Sequence, residues 1–173
     1  MLGYIVSEGR GEADRCMAVL AERLAEEGIP AAGVFQINTE RDDGQPCDMD
    51  LKVIGAGRVI RISQSLGPGA AGCRLDPAGL EEAVGLVAAS LDTGQPRILL
   101  ANRFGRREVE GKGFRPLIGR AVGEGVVALT AVGVDYLPDF EAFAGGMASR
   151  LPADANALLD WCRSRLAIPF TPE

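Results

Sequence analysis

Arg97-Ile-Leu-Leu-Ala-Asn102, continued by Arg103-Phe-Gly-Arg-Arg-Glu-Val-Glu-Gly-Lys-Gly-Phe-Arg115, is the stretch that decides the fold. Residues 98–101 are apolar without alternation, the pattern of a strand covered on both faces of a parallel sheet. The run stops at Asn102. From there to Arg115 the cations Arg103, Arg106, Arg107, Lys112 and Arg115 face only Glu108 and Glu110, in a chain whose net charge is −6. Open α/β sheets take their ligands beyond the carboxyl ends of their strands, so a basic, glycine-bearing loop leaving a central strand is a candidate anion site. A solvated charged loop accounts for the same residues.

Working outward, residues 2–6 read as a short buried strand broken by Ser7-Glu-Gly-Arg-Gly-Glu12. A helix follows over residues 12–27, with Cys16, Leu20 and Leu24 along one stripe and Gly28 as its stop. Strand, glycine loop and helix form the architecture in which backbone amides and a helix N-terminus hold phosphate. The phosphate lysine and the hydroxyl that belong after the last glycine are absent. Arg10 is the cation of that loop, and Glu8, Glu12 and Asp14 would repel a polyphosphate. A tight turn between strand and helix explains the segment equally well.

Residues 31–37 form a second apolar run, and 47–54 with 58–63 read as a β-hairpin around Gly55-Ala-Gly57, with Met49, Leu51 and Val53 on one face. No helix separates these two strands, so they belong to an antiparallel addition at the sheet edge. The segment Gln64-Ser-Leu-Gly-Pro-Gly-Ala-Ala-Gly-Cys-Arg-Leu-Asp76 is rich in glycine and carries Gly69 and Arg74. Asp76-Pro77 starts a helix, with Asp as N-cap and Leu80, Val84 and Val87 inward. Beyond the basic loop come a helix over residues 115–124, a buried strand over 126–132, and a short helix with Phe140 and Phe143 that Gly145-Gly146 breaks. Asp154 caps a last amphipathic helix through Leu158, Trp161, Cys162 and Leu166. These alternations predict an α/β domain spanning residues 1–173, three-layered, with a mainly parallel sheet and an antiparallel edge hairpin.

Composition bounds the function. At 47% hydrophobic and 24% charged residues the chain reads as soluble and globular, with no apolar run of the length of a membrane span. Met1-Leu-Gly-Tyr-Ile-Val6 lacks a basic leader, so the expected location is cytoplasmic. The acidic balance argues against a nucleic-acid partner. Histidine is absent, which removes the commonest general base and zinc ligand and argues against hydrolytic triads. The four cysteines, Cys16, Cys47, Cys73 and Cys162, show no Cys-x-x-Cys spacing, and neither a metal site nor a disulfide is expected.

Cys47-Asp-Met49, Gly72-Cys-Arg-Leu-Asp76, Asn102-Arg-Phe-Gly105 with Glu108 and Gly111, and Phe143-Ala-Gly-Gly146 together resemble an uncharacterised bacterial family often encoded beside molybdate transport genes. That family is related to the small P-loop nucleoside triphosphatases first described in thermophiles. The resemblance implies a P-loop-type fold. It also locates departures from the triphosphatase pattern: where those enzymes end their central strand in an Asp-Glu pair that positions Mg²⁺ and the attacking water, this chain has Ala101 and Asn102. Without metal ligand, phosphate lysine and catalytic acid, most of the electrostatic stabilisation of phosphoryl transfer is gone.

The resulting expectation is a non-hydrolytic binding protein that holds a small oxyanion, such as molybdate or tungstate, or a nucleotide, with Gly9, Arg10, Gly11, Gly69, Arg74, Asn102, Arg103 and Arg115 as its ligand-binding residues. No catalytic residue and no cofactor is assigned. Two alternatives stand beside it: a residual nucleoside triphosphatase or a transferase with Glu108 or Glu110 as base, and an adaptor whose partner is another protein. The loops at residues 7–12 and 102–115 face one crevice if the strands preceding them are neighbours.

Overall fold

The computed structural model describes residues 1–8, 11–41, 47–65 and 74–167. In chain order β1 (Leu2–Ser7) leads to α1 (Glu12–Glu26), and β2 (Ala31–Thr39) to the hairpin of β3 (Asp48–Val53) and β4 (Val59–Arg61). Then come α2 (Pro77–Asp92), β5 (Ile98–Phe104), the single turn α3 (Arg106–Val109), α4 (Arg115–Gly123) and β6 (Val127–Gly133). A 3₁₀ turn at Val134–Tyr136 enters α5 (Leu137–Ala144), and β7 (Ala148–Arg150) and α6 (Ala155–Leu166) complete the described elements.

The seven strands among the described residues lie in one sheet of order β4-β3-β2-β5-β6-β1-β7. β2, β5, β6, β1 and β7 are parallel, and β3 runs antiparallel to both β2 and β4. The four buried apolar runs of the sequence therefore stand side by side, and the hairpin forms one edge, as the alternation of apolar runs and helical patterns predicts. Helices cover both faces. On one, Met17, Leu20 and Leu24 of α1 and Leu158 and Cys162 of α6 pack with Ile5, Leu100 and Leu129 of the sheet. On the other, Leu80 and Val87 of α2, Ile118 of α4 and Phe140 of α5 pack with Leu99, Phe104 and Val132. Asp76 and Asp154 cap their helices as expected, accepting from Ala78 N at 2.9 Å and from Ala157 N at 2.8 Å. No helix among the described residues is long and apolar enough to cross a membrane.

The structure differs from the sequence reading in three places. β5 does not stop at Asn102 but runs on to Phe104, because Phe104 is fully buried against Phe140 at 5.1 Å and Phe143 at 5.5 Å between ring centroids. Its pairing with β6 shifts between Ala101 and Phe104, where the Thr130 hydroxyl donates to the Ala101 carbonyl at 2.6 Å. β7 has no pattern of its own: Ala148-Ser-Arg150 is a strand because Leu2, Gly3 and Tyr4 of β1 offer an edge to pair with. Finally, β6 separates β1 from β5, so the loops after those two strands do not meet through neighbouring strands. The first turn of α1 makes the connection instead.

Candidate functional site

At the carboxyl ends of β2 and β5, a polar cluster forms around Asp14. Gly11, with φ at 79°, takes the left-handed conformation that turns the chain into α1, so that Glu12 is the first helical residue and Asp14 lies in the first turn. Asp14 is only 3% exposed. Its Oδ1 accepts from Asn102 Nδ2 at 2.9 Å and from Arg103 Nη2 at 2.8 Å. Its Oδ2 accepts from Asn38 Nδ2 at 2.7 Å and from Arg103 Nη2 at 3.0 Å. Asn38 Oδ1 in turn accepts from Gln36 Nε2 at 2.7 Å.

Three elements thus supply one network: the start of α1 the carboxylate, the end of β2 two amides, the end of β5 an amide and a guanidinium. A buried carboxylate is tolerated only with charge and hydrogen bonds around it, and here each oxygen has two donor contacts. Among the described residues, two buried atoms of the cluster have no partner, Asn102 Oδ1 and Arg103 Nε. Arg15, one turn into the helix, brings Nη1 to 3.3 Å from where a Cβ on Gly11 would stand, and Asn38 Nδ2 lies 4.0 Å from the same point.

Of the residues expected from sequence to bind a ligand, the structure brings Gly11, Asn102 and Arg103 together. Gly9, Arg10 and Gly69 lie outside the described residues. Arg74 sits at the hairpin, where Nη1 donates to the Cys47 carbonyl at 3.1 Å. Arg115 lies over the Phe143 ring at 4.9 Å from its centroid and donates from Nη1 to the carbonyls of Glu108 and Val109. The two candidate bases are engaged as well. Glu108 is buried, its Oε2 accepting from Gly105 N and its Oε1 from Phe114 N, both at 3.0 Å, and burial is the main cause that raises its pKa above 4.5, against those backbone donors. Glu110 pairs with Arg106 and Arg107 at 3.1 and 3.2 Å.

Sequence reasoning passed over Asp14, Asn38 and Gln36. The only signal was a carboxylate in the first turn of a helix that follows a glycine loop, and by itself it reads as repulsion of phosphate. Among the described residues no three His, Cys, Asp or Glu side chains are grouped to hold a metal ion.

The sequence motifs also meet in space. Arg74 reaches Cys47, and Ser63 pairs with Leu75, so the segment entering α2 is fastened to the hairpin. Phe104 and Arg115 both contact Phe143, which ties the basic segment to α5. A mainly parallel sheet with helices on both faces and a glycine turn opening α1 makes this an α/β protein of P-loop nucleoside triphosphatase type in its fold. The chain belongs to the family described as Protein of unknown function (DUF2478), which matches residues 2–161. It is similar to the Molybdenum import ATP-binding protein ModC 2 of Bradyrhizobium diazoefficiens, 31% identical over 161 residues, 92% of this chain and 18% of that protein. The chain therefore spans about a fifth of the length of that curated relative. No solved structure matches it.

Proposed function

We propose that the protein is a non-hydrolytic, P-loop-type binding protein of one α/β domain that takes a small oxyanion or a nucleotide at the carboxyl edge of its sheet and serves molybdenum homeostasis in the cytoplasm. The observation that carries the reading is the convergence of Asn38, Asn102 and Arg103, two amides and a guanidinium, on the Asp14 carboxylate in the first turn of α1. Donor groups at a helix N-terminus suit an anion. The name of the relative joins ATP binding to molybdenum import, which supports both ligand classes and favours molybdate or tungstate among the oxyanions. Gly9, Arg10 and Gly11 belong to the proposed ligand set through the sequence of the segment that precedes α1. The proposed set also includes Gly69, Arg74 and Arg115, the two arginines with hydrogen bonds already committed to backbone carbonyls. Neither nucleic acid nor membrane is a partner in this reading.

Calorimetric titration of molybdate, tungstate, sulfate, phosphate, ADP and ATP into the wild type and Arg103→Ala tests it. Binding by the wild type and a loss of roughly 1.5–3 kcal/mol in the variant are expected, the worth of a hydrogen bond to a charged group. If no anion binds the wild type below millimolar, the adaptor reading replaces this one.

A further inference from the structure

Resting on that reading, we infer that Asp14 is an internal ligand: its carboxylate occupies a cradle whose donors match a tetrahedral oxyanion, and such an anion competes with Asp14 for Asn38, Asn102 and Arg103. The described residues that hydrogen-bond the carboxylate all direct donors at it. A cradle of this composition is selective for negative charge, whatever carries it. The carboxylate belongs to the first turn of the helix that Gly11 opens, and helix N-termini favour anions.

The cradle has more to offer than a carboxylate uses. Both oxygens of Asp14 are matched, yet among the described residues Arg103 Nε is buried without a partner, and so is the acceptor Asn102 Oδ1, beside it in sequence. A tetrahedral anion has oxygens enough to occupy the three donors and Nε together, and a proton it retains suits Asn102 Oδ1. Entry is from the side of Arg103, whose side chain is 37% exposed while that of Asp14 is 4% exposed. Asp14 sits in the first turn of α1, three residues after Gly11; in the competing state its side chain turns out of the cradle while the helix stays wound.

An internal competitor lowers apparent affinity by the fraction of molecules in which the cradle is open. Molybdate, phosphate, ADP and ATP are titrated by calorimetry into the wild type, Asp14→Ala, Asp14→Asn and the Asp14→Ala/Arg103→Ala double variant. Asp14→Ala is expected to bind on the order of tenfold tighter than the wild type or better, Asp14→Asn to lie between them, and the double variant to lose the gain. A gain confined to molybdate and phosphate identifies a free oxyanion; one that extends to ADP and ATP identifies a terminal phosphate. Should Asp14→Ala fold poorly alone, a larger rise of melting temperature with added phosphate in the two Asp14 variants than in the wild type gives the same answer. Variants that bind no anion more tightly, and melt no more responsively, overturn the inference. A wild type that binds with Asp14→Ala no tighter leaves the proposed function standing without the competitor, whereas a silent wild type beside a binding Asp14→Ala leaves the competitor standing and removes the proposed function of the wild type.

Discussion

A Cβ atom placed on Gly33 of β2 would stand 1.9 Å from the carbonyl oxygen of Leu100 on β5. Gly33 also has φ at 127°, a conformation that L residues rarely adopt. The two strands are paired in register there, Gly33 opposite Leu100, with β2 lying between β5 and the hairpin strand β3. Gly33→Ala therefore combines overpacking against backbone with backbone strain and is expected to destabilise by roughly 2–5 kcal/mol. Urea denaturation reads this directly, and an unchanged midpoint contradicts the close approach.

Glu108 closes the loop between β5 and α4 by accepting from Gly105 N and Phe114 N. Removing it as Glu108→Ala strands two backbone donors, one of them on the fully buried Phe114, at a cost of about 1–3 kcal/mol for each that water does not reach. The pH dependence has a definite sign. Burial raises the folded pKa above its ordinary value of 4.5, so the stability associated with this titration is fully present below the unfolded pKa and is lost as pH rises through the folded one. Glu108→Gln does not titrate. The stability difference, wild type minus Glu108→Gln, is expected to fall as pH rises above 4.5, and a difference that does not change with pH contradicts the assignment.

Cys16 and Cys162 lie in the core between α1 and α6, where burial pushes their thiols up to about 11 and about 12. At about pH 8 their thiolate populations are of order one in a thousand and one in ten thousand, and the sulfur atoms are shielded as well. A variant with Cys47→Ser and Cys73→Ser is expected to be inert to Ellman's reagent while folded and to release two equivalents once unfolded in urea. Fast reaction of the folded variant shows that one of these thiols is accessible.

The fold was largely legible because its signals are local. Four apolar runs, their intervening helical stripes and the Asp76 and Asp154 caps each act within a few residues, and each is where the pattern puts it. The candidate site was legible only in half. Asn102 and Arg103 stand out as polar residues following an apolar strand, but their partner Asp14 is 88 and 89 residues away. Without that pairing a helix-start carboxylate reads as a repulsive charge and Arg103 as a free one. Neither property is visible until the sheet order brings β5 beside β2 and α1 across them. β7 escaped for a related reason, since three residues without alternation become a strand only through the edge they pair with.

Hydrolysis of Mg-ATP and Mg-GTP is expected to be negligible. Asn102, which the resemblance to the triphosphatases sets at the position of their acid, donates its amide to Asp14, and the lysine and hydroxyl of a P-loop after Gly11 are replaced by Glu12 and Ala13. Phosphate release that Asn102→Ala or Arg103→Ala abolishes contradicts this and restores the triphosphatase alternative.

The ion pair of Asp14 and Arg103 also has a stability consequence distinct from any ligand. Arg103→Ala leaves a carboxylate that is 3% exposed with the amides of Asn38 and Asn102 as its remaining donors, a buried charge without a countercharge. Breaking such a pair from one side costs about 3–5 kcal/mol, mostly through the charge left behind. Asp14→Ala strands the partner instead, but Arg103 is 37% exposed and regains water, so its loss is expected to be the smaller of the two. The double variant removes both charges, and its destabilisation is expected to fall well short of the sum of the single losses, with a coupling in the range of roughly 0.5–3 kcal/mol found for residues in one network. Urea midpoints for the four proteins, measured in phosphate-free buffer so that no anion fills the cradle, close the cycle. Additive losses show that Asp14 and Arg103 do not act as a pair in solution.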